Sequence, residues 1–457
     1  MTEPAADLVV HGGRVILPGG EAERTIVIRD GRFSALLPAG ASLPAAERTI
    51  DARGRVVLPG MIDGHVHFRE PGFPGKEDIA SGSTAAVAGG VTTVLEMPNT
   101  IPPTDSVVHA REKIARIGGR ARCDIGLFAV VLDGNVGEIR PLAEAGLVVG
   151  FKVFLAPTTG DLPTPTDATI RAAMHEIRRL GMRLGVHAED GALIAEETAR
   201  LQAAGRSDPL AHLESRPAEA EARAIDRIAA LALETGCPLH LYHLSSAPGL
   251  DALRRWRARG AEITAEVGAQ HCFLDAAEMP RIGARMRVNP PVRIAAEGHQ
   301  EALLDALVAG EIGMIASDHS PHAPEEKLHA EIWRSVSGYA GVETTLRLFL
   351  THAVATGRMG YPALARAIAE APARTWGLWP RKGAIAVGAD ADLTIVDPER
   401  PGRIEEAALH GRTNVTPFAG RATRGMAVAA VLRGAVVMEE GEPVGDPTGR
   451  FIGPVPR

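Results

Sequence analysis

Between about residues 58 and 378 the chain alternates short apolar strands with Ala-rich amphipathic stretches, and this rhythm constrains its fold more than any other feature. The strand candidates are Met61–His67, Thr92–Met97, Asp124–Val131, Gly150–Phe154, Arg183–His187, Leu239–His243, Glu262–Val267 and Gly313–Ser317. Helical patterns fill the gaps, among them Ile79–Ala88, Asp105–Ile117, Thr169–Leu180, Pro217–Thr235 and Gln300–Ala309. Eight strand–helix units are the count of a closed parallel barrel, so the expected class is α/β with a (β/α)8, TIM-like barrel. An open doubly wound sheet has the same rhythm but calls for a glycine-rich phosphate loop after its first strand, and none follows Met61–His67.

Both flanks read as β structure. Leu8–Val10 and Val15–Leu17 surround the turn residues His11-Gly12-Gly13, and Thr25–Ile28 and Phe33–Leu36 surround Asp30-Gly31, a tight hairpin signal. These strands are too few to stand alone. After about residue 379 strands return, in Lys382–Asp397 with an internal turn and in Val428–Met438 around Gly434. The expected organisation is a composite β-sandwich domain from residues 1–57 and 379–457 and a catalytic barrel over 58–378.

Composition narrows the function. A formal net charge of −7 over 457 residues argues against a nucleic-acid surface. Cys123, Cys237 and Cys272 are odd in number and fit no CxxC spacing, which points to a reducing, cytoplasmic setting without disulfides or a cysteine zinc site. No basic stretch leads into an apolar run at the N-terminus, and no apolar run is long enough to span a membrane, so neither a secretory signal nor a membrane partner is expected.

The polar residues at the predicted strand ends carry the chemistry. Side chains two apart on a strand share a face, so His65 and His67 project together as two ligands of one metal would. Strand 4 holds Lys152 between Phe151 and Val153, strand 5 ends in His187, strand 6 in His243, and strand 8 in Asp318. Imidazole nitrogen and carboxylate oxygen suit zinc. A lysine inside a buried strand must be paired or chemically changed. Lys152 is thus a snorkelling or salt-bridged lysine, or one carboxylated by CO2 to a carbamate that can bridge two metals. Ser317 and Ser320 beside Asp318 and His319 do not have the spacing of a nucleophilic triad.

In order and local wording these motifs resemble the amidohydrolase superfamily, in its branch of cyclic amide hydrolases: dihydroorotase, hydantoinase and allantoinase. The resemblance runs over essentially the whole chain, including the split β-domain and the turn Gly388-Ala389-Asp390-Ala391-Asp392-Leu393. It implies a binuclear zinc site. One ion is held by His65, His67, Lys152 and Asp318, the other by N6-carboxylated Lys152, His187 and His243. A hydroxide bridging the pair is the nucleophile, and Asp318 is general base and then acid. It also implies a homo-oligomer, dimer or tetramer.

Further words bear on the substrate. Phe68-Arg69-Glu70-Pro71-Gly72 and Met97-Pro98-Asn99-Thr100 resemble the dihydroorotase segments whose arginine and asparagine bind the substrate carboxylate. Arg287–Arg293 resembles the segment whose asparagine, here Asn289, contacts the pyrimidine ring, and His322 matches a second carboxylate-binding histidine. The implied reaction interconverts N-carbamoyl-L-aspartate and L-dihydroorotate in pyrimidine biosynthesis, with a small anionic cyclic amide as substrate. Ser317–Ser320 reads closer to allantoinase, and Phe151–Ala156 also occurs in hydantoinase (dihydropyrimidinase) form, although the tyrosine expected soon after that lysine in hydantoinases is replaced by Pro157–Gly160. Those two activities are the alternatives. A non-catalytic scaffold is a third, and it would be expected to have lost ligands. His319, adjacent to Asp318, is expected to face away from the metals.

Overall fold

The structure is a computed structural model that describes residues 5–456. Its centre is an eight-stranded parallel sheet in strictly sequential order. The strands are β1 (Met61–Val66), β2 (Val91–Glu96), β3 (Asp124–Val130), β4 (Gly150–Phe154), β5 (Leu184–His187), β6 (Leu239–Leu241), β7 (Ile263–Val267) and β8 (Met314–Ile315). The sheet closes on itself where Val66 bridges His319 in parallel register and His67 N–H donates to the His319 carbonyl at 2.7 Å. This is the expected (β/α)8 barrel. β8 is shorter than the sequence pattern suggests because Ser317 N–H donates to the buried Asp63 carboxylate (3.1 Å) in place of a backbone carbonyl.

The inner core of the barrel is aromatic. Trp376 stacks on Tyr242 (10° between planes) and meets Phe128 edge-on. The strands make room with glycine: a Cβ at Gly150 would lie 2.7 Å from Trp376, and one at Gly185 2.3 Å from Tyr242. These ring contacts explain two glycines in strands that otherwise favour branched residues.

The two chain ends build one curled ten-stranded sheet, the expected β-sandwich domain. Val56–Pro59 is its seam, parallel to Arg14–Leu17 and antiparallel to Leu393–Arg403. Its core mixes both ends of the sequence, with Leu8, Val10, Ile26, Ile28 and Phe33 packed against Ile385, Leu393, Ile395, Val428 and Val431. One expectation fails here. Residues 382–388 form no strand before the Gly388–Asp392 turn. They run as a loop because Lys382 is drawn into a buried ion cluster, with Nζ 2.5 Å from Asp392, 2.9 Å from Asp124 and 3.4 Å from Asp390. Arg433 also pairs with Asp124. Asp124 opens β3, so the cluster fastens the sandwich to the barrel through charges that cannot be left unpaired away from water. No helix among the described residues is long and apolar enough to cross a membrane.

The connection between the sandwich strands Leu393–Arg403 and Ala422–Leu432 reaches back to the barrel. There His410 donates to Glu343 (3.0 Å) and contacts Glu442 (3.2 Å). The hydrogen bond to Glu343, aided by Glu442, raises His410 from the usual histidine range to about 9. A raised folded value means stability that is complete below about 6.5 and lost as pH rises through 9. His410→Gln should therefore cost about 2 kcal/mol at pH 6, discounted for the partial exposure of the pair, and close to nothing at pH 10. Urea midpoints of both proteins at the two pH values check this; an equal loss at both would remove the charge from the explanation.

Candidate metal centre and substrate cavity

The residues singled out at the strand ends meet in one place. His65, His67, Lys152, His187, His243 and Asp318 are all buried and all line a cavity of about 300 Å³ at the C-terminal mouth of the barrel. Three site residues, Arg69 (φ 63°), His243 (φ 38°) and Asp318 (φ 50°), have left-handed backbone at or just past their strand ends. Non-glycine residues hold that conformation only where their surroundings enforce it, and such strain gathers at functional sites.

The hydrogen-bond network fixes which ring nitrogens carry protons. His65 Nδ1 lies 2.6 Å from Glu266 Oε1, an acceptor only, so Nδ1 is the donor and Nε2 carries the lone pair. His67 Nδ1 donates to Asn99 Oδ1 (2.7 Å), again leaving a lone pair on Nε2. These two Nε2 atoms face each other at 3.2 Å, and Asp318 Oδ1 stands 3.4 Å from each. Two lone pairs and a carboxylate oxygen pointed at one spot repel one another unless a cation lies between them. The three groups form the one cluster of metal-ligand geometry found among the described residues.

A second pair adjoins it. His187 Nε2 donates to Glu189 (2.9 Å), and its Nδ1 faces His243 Nε2 at 2.9 Å. His243 Nδ1 is buried without a partner. Although burial opposes it, Arg216 and His187 hold Glu189 down to about 2, so a fixed anion orients His187 from behind.

Lys152 lies between the two groups. Its Nζ is 3.0 Å from His65 Nε2 and 3.2 Å from Met97 Sδ, and stands over the rings of Phe154 and Tyr242. No carboxylate among the described residues pairs with it. Burial pulls the ammonium down to about 7, against the pull of Asp318 and Glu266. Burial likewise pushes Asp318 up to about 7, although Lys152 and Arg69 oppose it.

Glu266 was not legible as a site residue. One oxygen takes the His65 proton and the His243 backbone N–H (3.3 Å), and the other faces His240 Nε2 at 3.2 Å. Its only signal is a lone carboxylate inside the buried strand β7. Asp63 was missed for the same reason; it ties β1 to the end of β8 by accepting from His65 N–H and Ser317 N–H.

The expected substrate residues divide. Arg69 is buried on the cavity wall, with Nε donating to the Pro321 carbonyl (3.3 Å) and Nη2 at 3.0 Å from His322; its Nη1 has no hydrogen bond within the described protein. Asn289 also lines the cavity, and its Oδ1 is buried without a partner. His322 stands behind Arg69 rather than on the wall, between Lys76 (3.2 Å) and the Ser337 carbonyl (3.0 Å). Asn99 lines the cavity, yet both ends of its amide are already bonded, to His67 and to the Thr159 carbonyl (3.0 Å). Pro157–Thr159 after β4, together with Arg216, Arg287 and Ser335–Gly338, loop residues without a strand-end signature, add to the wall. His319 turns away as expected: its Nδ1 accepts from Gly341 and Val342, and its Nε2 lies near Glu77.

Known proteins share this architecture and sequence. Residues 56–437 match the Amidohydrolase family. An allantoinase of Solibacter usitatus is 37% identical over 96% of this chain and 94% of its own. A dihydroorotase of Methanothermobacter thermautotrophicus is 37% identical over 89% of each. The solved L-hydantoinase (dihydropyrimidinase) from Arthrobacter aurescens superposes with a TM-score of 0.94 at 33% identity, covering 98% of this chain and all of that one. The chain belongs to the amidohydrolase family, in its branch of hydrolases that act on cyclic amides.

Proposed function

We propose that the protein opens and closes a carboxylated cyclic amide, interconverting L-dihydroorotate and N-carbamoyl-L-aspartate. In this reading His65, His67, Lys152 and Asp318 hold one zinc ion, and Lys152, as its carbamate, joins His187 and His243 in holding a second. The two facing pairs of imidazoles fit such a pair of cations, and a Lys152 amine drawn down to about 7 by burial is neutral often enough to fit carboxylation by CO2. When bound, the metals supply a more acidic water and a polarised carbonyl.

The protein's own residues do the rest. Asp318 takes the proton of the attacking water and returns it to the ring nitrogen as the carbon–nitrogen bond breaks. Ring closure runs the same proton path backwards. Glu266 and Glu189 fix the imidazole tautomers. Ser335–Gly338 walls the cavity, held by Arg287, which donates to the Ile332 and Ser335 carbonyls, and by the buried Lys327.

The observation that carries the choice of substrate is Arg69, a buried cation with a free Nη1 on the wall of the cavity that holds the ligand cluster. A carboxylate answers it with a charge-assisted fork. The unpaired Asn289 Oδ1 accepts a ring N–H. Hydantoin and allantoin offer the ring N–H but no carboxylate. Allantoin is the second reading, favoured by the allantoinase relative.

Purified protein given dihydroorotate, hydantoin and allantoin in turn should turn over dihydroorotate fastest. Arg69→Ala should lower kcat/KM for dihydroorotate by roughly 100-fold, about 3 kcal/mol for truncating one side of a buried charge pair, and leave neutral rings nearly unaffected. Faster opening of hydantoin or allantoin by the unaltered protein would sink the assignment.

A further inference from the structure

We infer that Asn99 is a positioning residue that couples the loop after β4 to the metal-ligand geometry of His67. The residue is 3% exposed, and its side chain has two unlike ends. Oδ1 accepts from His67 Nδ1–H at 2.7 Å, and Nδ2 donates to the Thr159 carbonyl at 3.0 Å. Pro157, Thr158 and Thr159 line the substrate cavity, so the amide bridges a ligand and a wall. The loop turns beside Asn99 at residue 160, where the backbone conformation favours glycine. It has φ +97°, and a Cβ there would lie 3.4 Å from the Asn99 carbonyl oxygen.

The coupling follows from the chemistry of an amide, which presents an acceptor on one side and a donor on the other. With Thr159 in place, Nδ2 is committed to a carbonyl, so Oδ1 must face His67. That puts the His67 proton on Nδ1 and the lone pair on Nε2, toward His65 and Asp318. With Thr159 withdrawn, nothing fixes the amide. A flipped amide would offer Nδ2 to His67, which then has to accept at Nδ1 and carry its proton on Nε2, where it can no longer ligate. Loop position and ligand competence are thus read by one side chain. The inference rests on His67 as a metal ligand and not on which cyclic amide is the substrate.

The test uses full-length metal-free protein, zinc, and hydrogen exchange followed by mass spectrometry. Adding zinc to the unaltered protein should slow exchange in residues 157–162. In Asn99→Ala that response should vanish, and zinc should pass to a chromogenic chelator at least about 10-fold faster. Asn99→Asp keeps the acceptor for His67 and loses the donor for Thr159. It should retain zinc nearly as well as the unaltered protein while its loop ignores the metal, and it serves equally if the alanine variant fails to fold. Activity lost by Asn99→Ala should be lost alike on carboxylated and neutral rings.

A loss confined to the carboxylated ring, with zinc release unchanged, would make Asn99 a carboxylate binder and overturn the inference. So would a zinc-insensitive loop in the unaltered protein, or one equally sensitive in Asn99→Ala. Unaltered protein that takes up no zinc would overturn the metal-site reading and this inference with it. A different preferred substrate would overturn only the assignment to dihydroorotate.

Discussion

Lys152→Met should leave a folded protein that has lost at least one of the two proposed metals and turns over cyclic amides roughly 100-fold more slowly or worse, since removal of a proposed ligand must exceed the 10–100-fold cost of disturbing its support. The two effects separate because of where the lysine sits. Its Nζ has no carboxylate partner among the described residues, and lies against Met97 Sδ and the rings of Phe154 and Tyr242. A thioether of similar length fills that space without a charge to desolvate, so the melting temperature of metal-free protein should hold or rise. A lysine kept only for folding gives the opposite pattern, a lower melting temperature with metal content intact. In the proposed reading, burial also prepares the amine for carboxylation. Held near 7, much of it is neutral at physiological pH. Its lone pair forms the bond to CO2 carbon, one carbon–oxygen π pair moves onto oxygen, and the nitrogen sheds a proton. Metal analysis and calorimetry of both proteins decide between the two accounts.

Asp318→Asn should lower kcat by about 10²–10⁴-fold with little change in KM, the range for removing a general base. Asparagine keeps the size of the side chain and an oxygen that can face His65 and His67, each now 3.4 Å from Oδ1. What it lacks is the ability to take a proton from water and pass it to the ring nitrogen. Steady-state kinetics on whichever ring the substrate panel selects, with metal content measured in parallel, isolate that loss. If kcat survives in metal-loaded Asp318→Asn, the proton path runs elsewhere.

The barrel was legible because period and count agree: β4 matches the expected Gly150–Phe154, and the other strands differ by a few residues at their ends. The meeting of His65, His67, Lys152, His187, His243 and Asp318 around one cavity was legible because strand ends on one face of a closed barrel must converge, while the ligand roles proposed for them came from the family resemblance and not from spacing alone. Supporting residues were not. Glu266 and Asp63 sit within strands, where sequence gives no hint of what a side chain faces. Arg216 and Arg287 come from connections whose paths depend on packing. The second employment of Asn99 was hidden because Thr159 contributes a backbone carbonyl, which every residue has.

The seam strand Val56–Pro59 has a consequence in time. It leaves the ribosome just before the barrel, but its antiparallel neighbour Leu393–Arg403 follows only after the whole barrel has been made. At roughly 10 residues per second that gap is about half a minute. Throughout it, Leu8, Val10, Ile26 and Ile28 have half a core to pack against, and the seam presents an unpaired edge. The barrel is therefore assembled while tethered to an unfinished sheet, and the strands that arrive last shield the ones that arrived first.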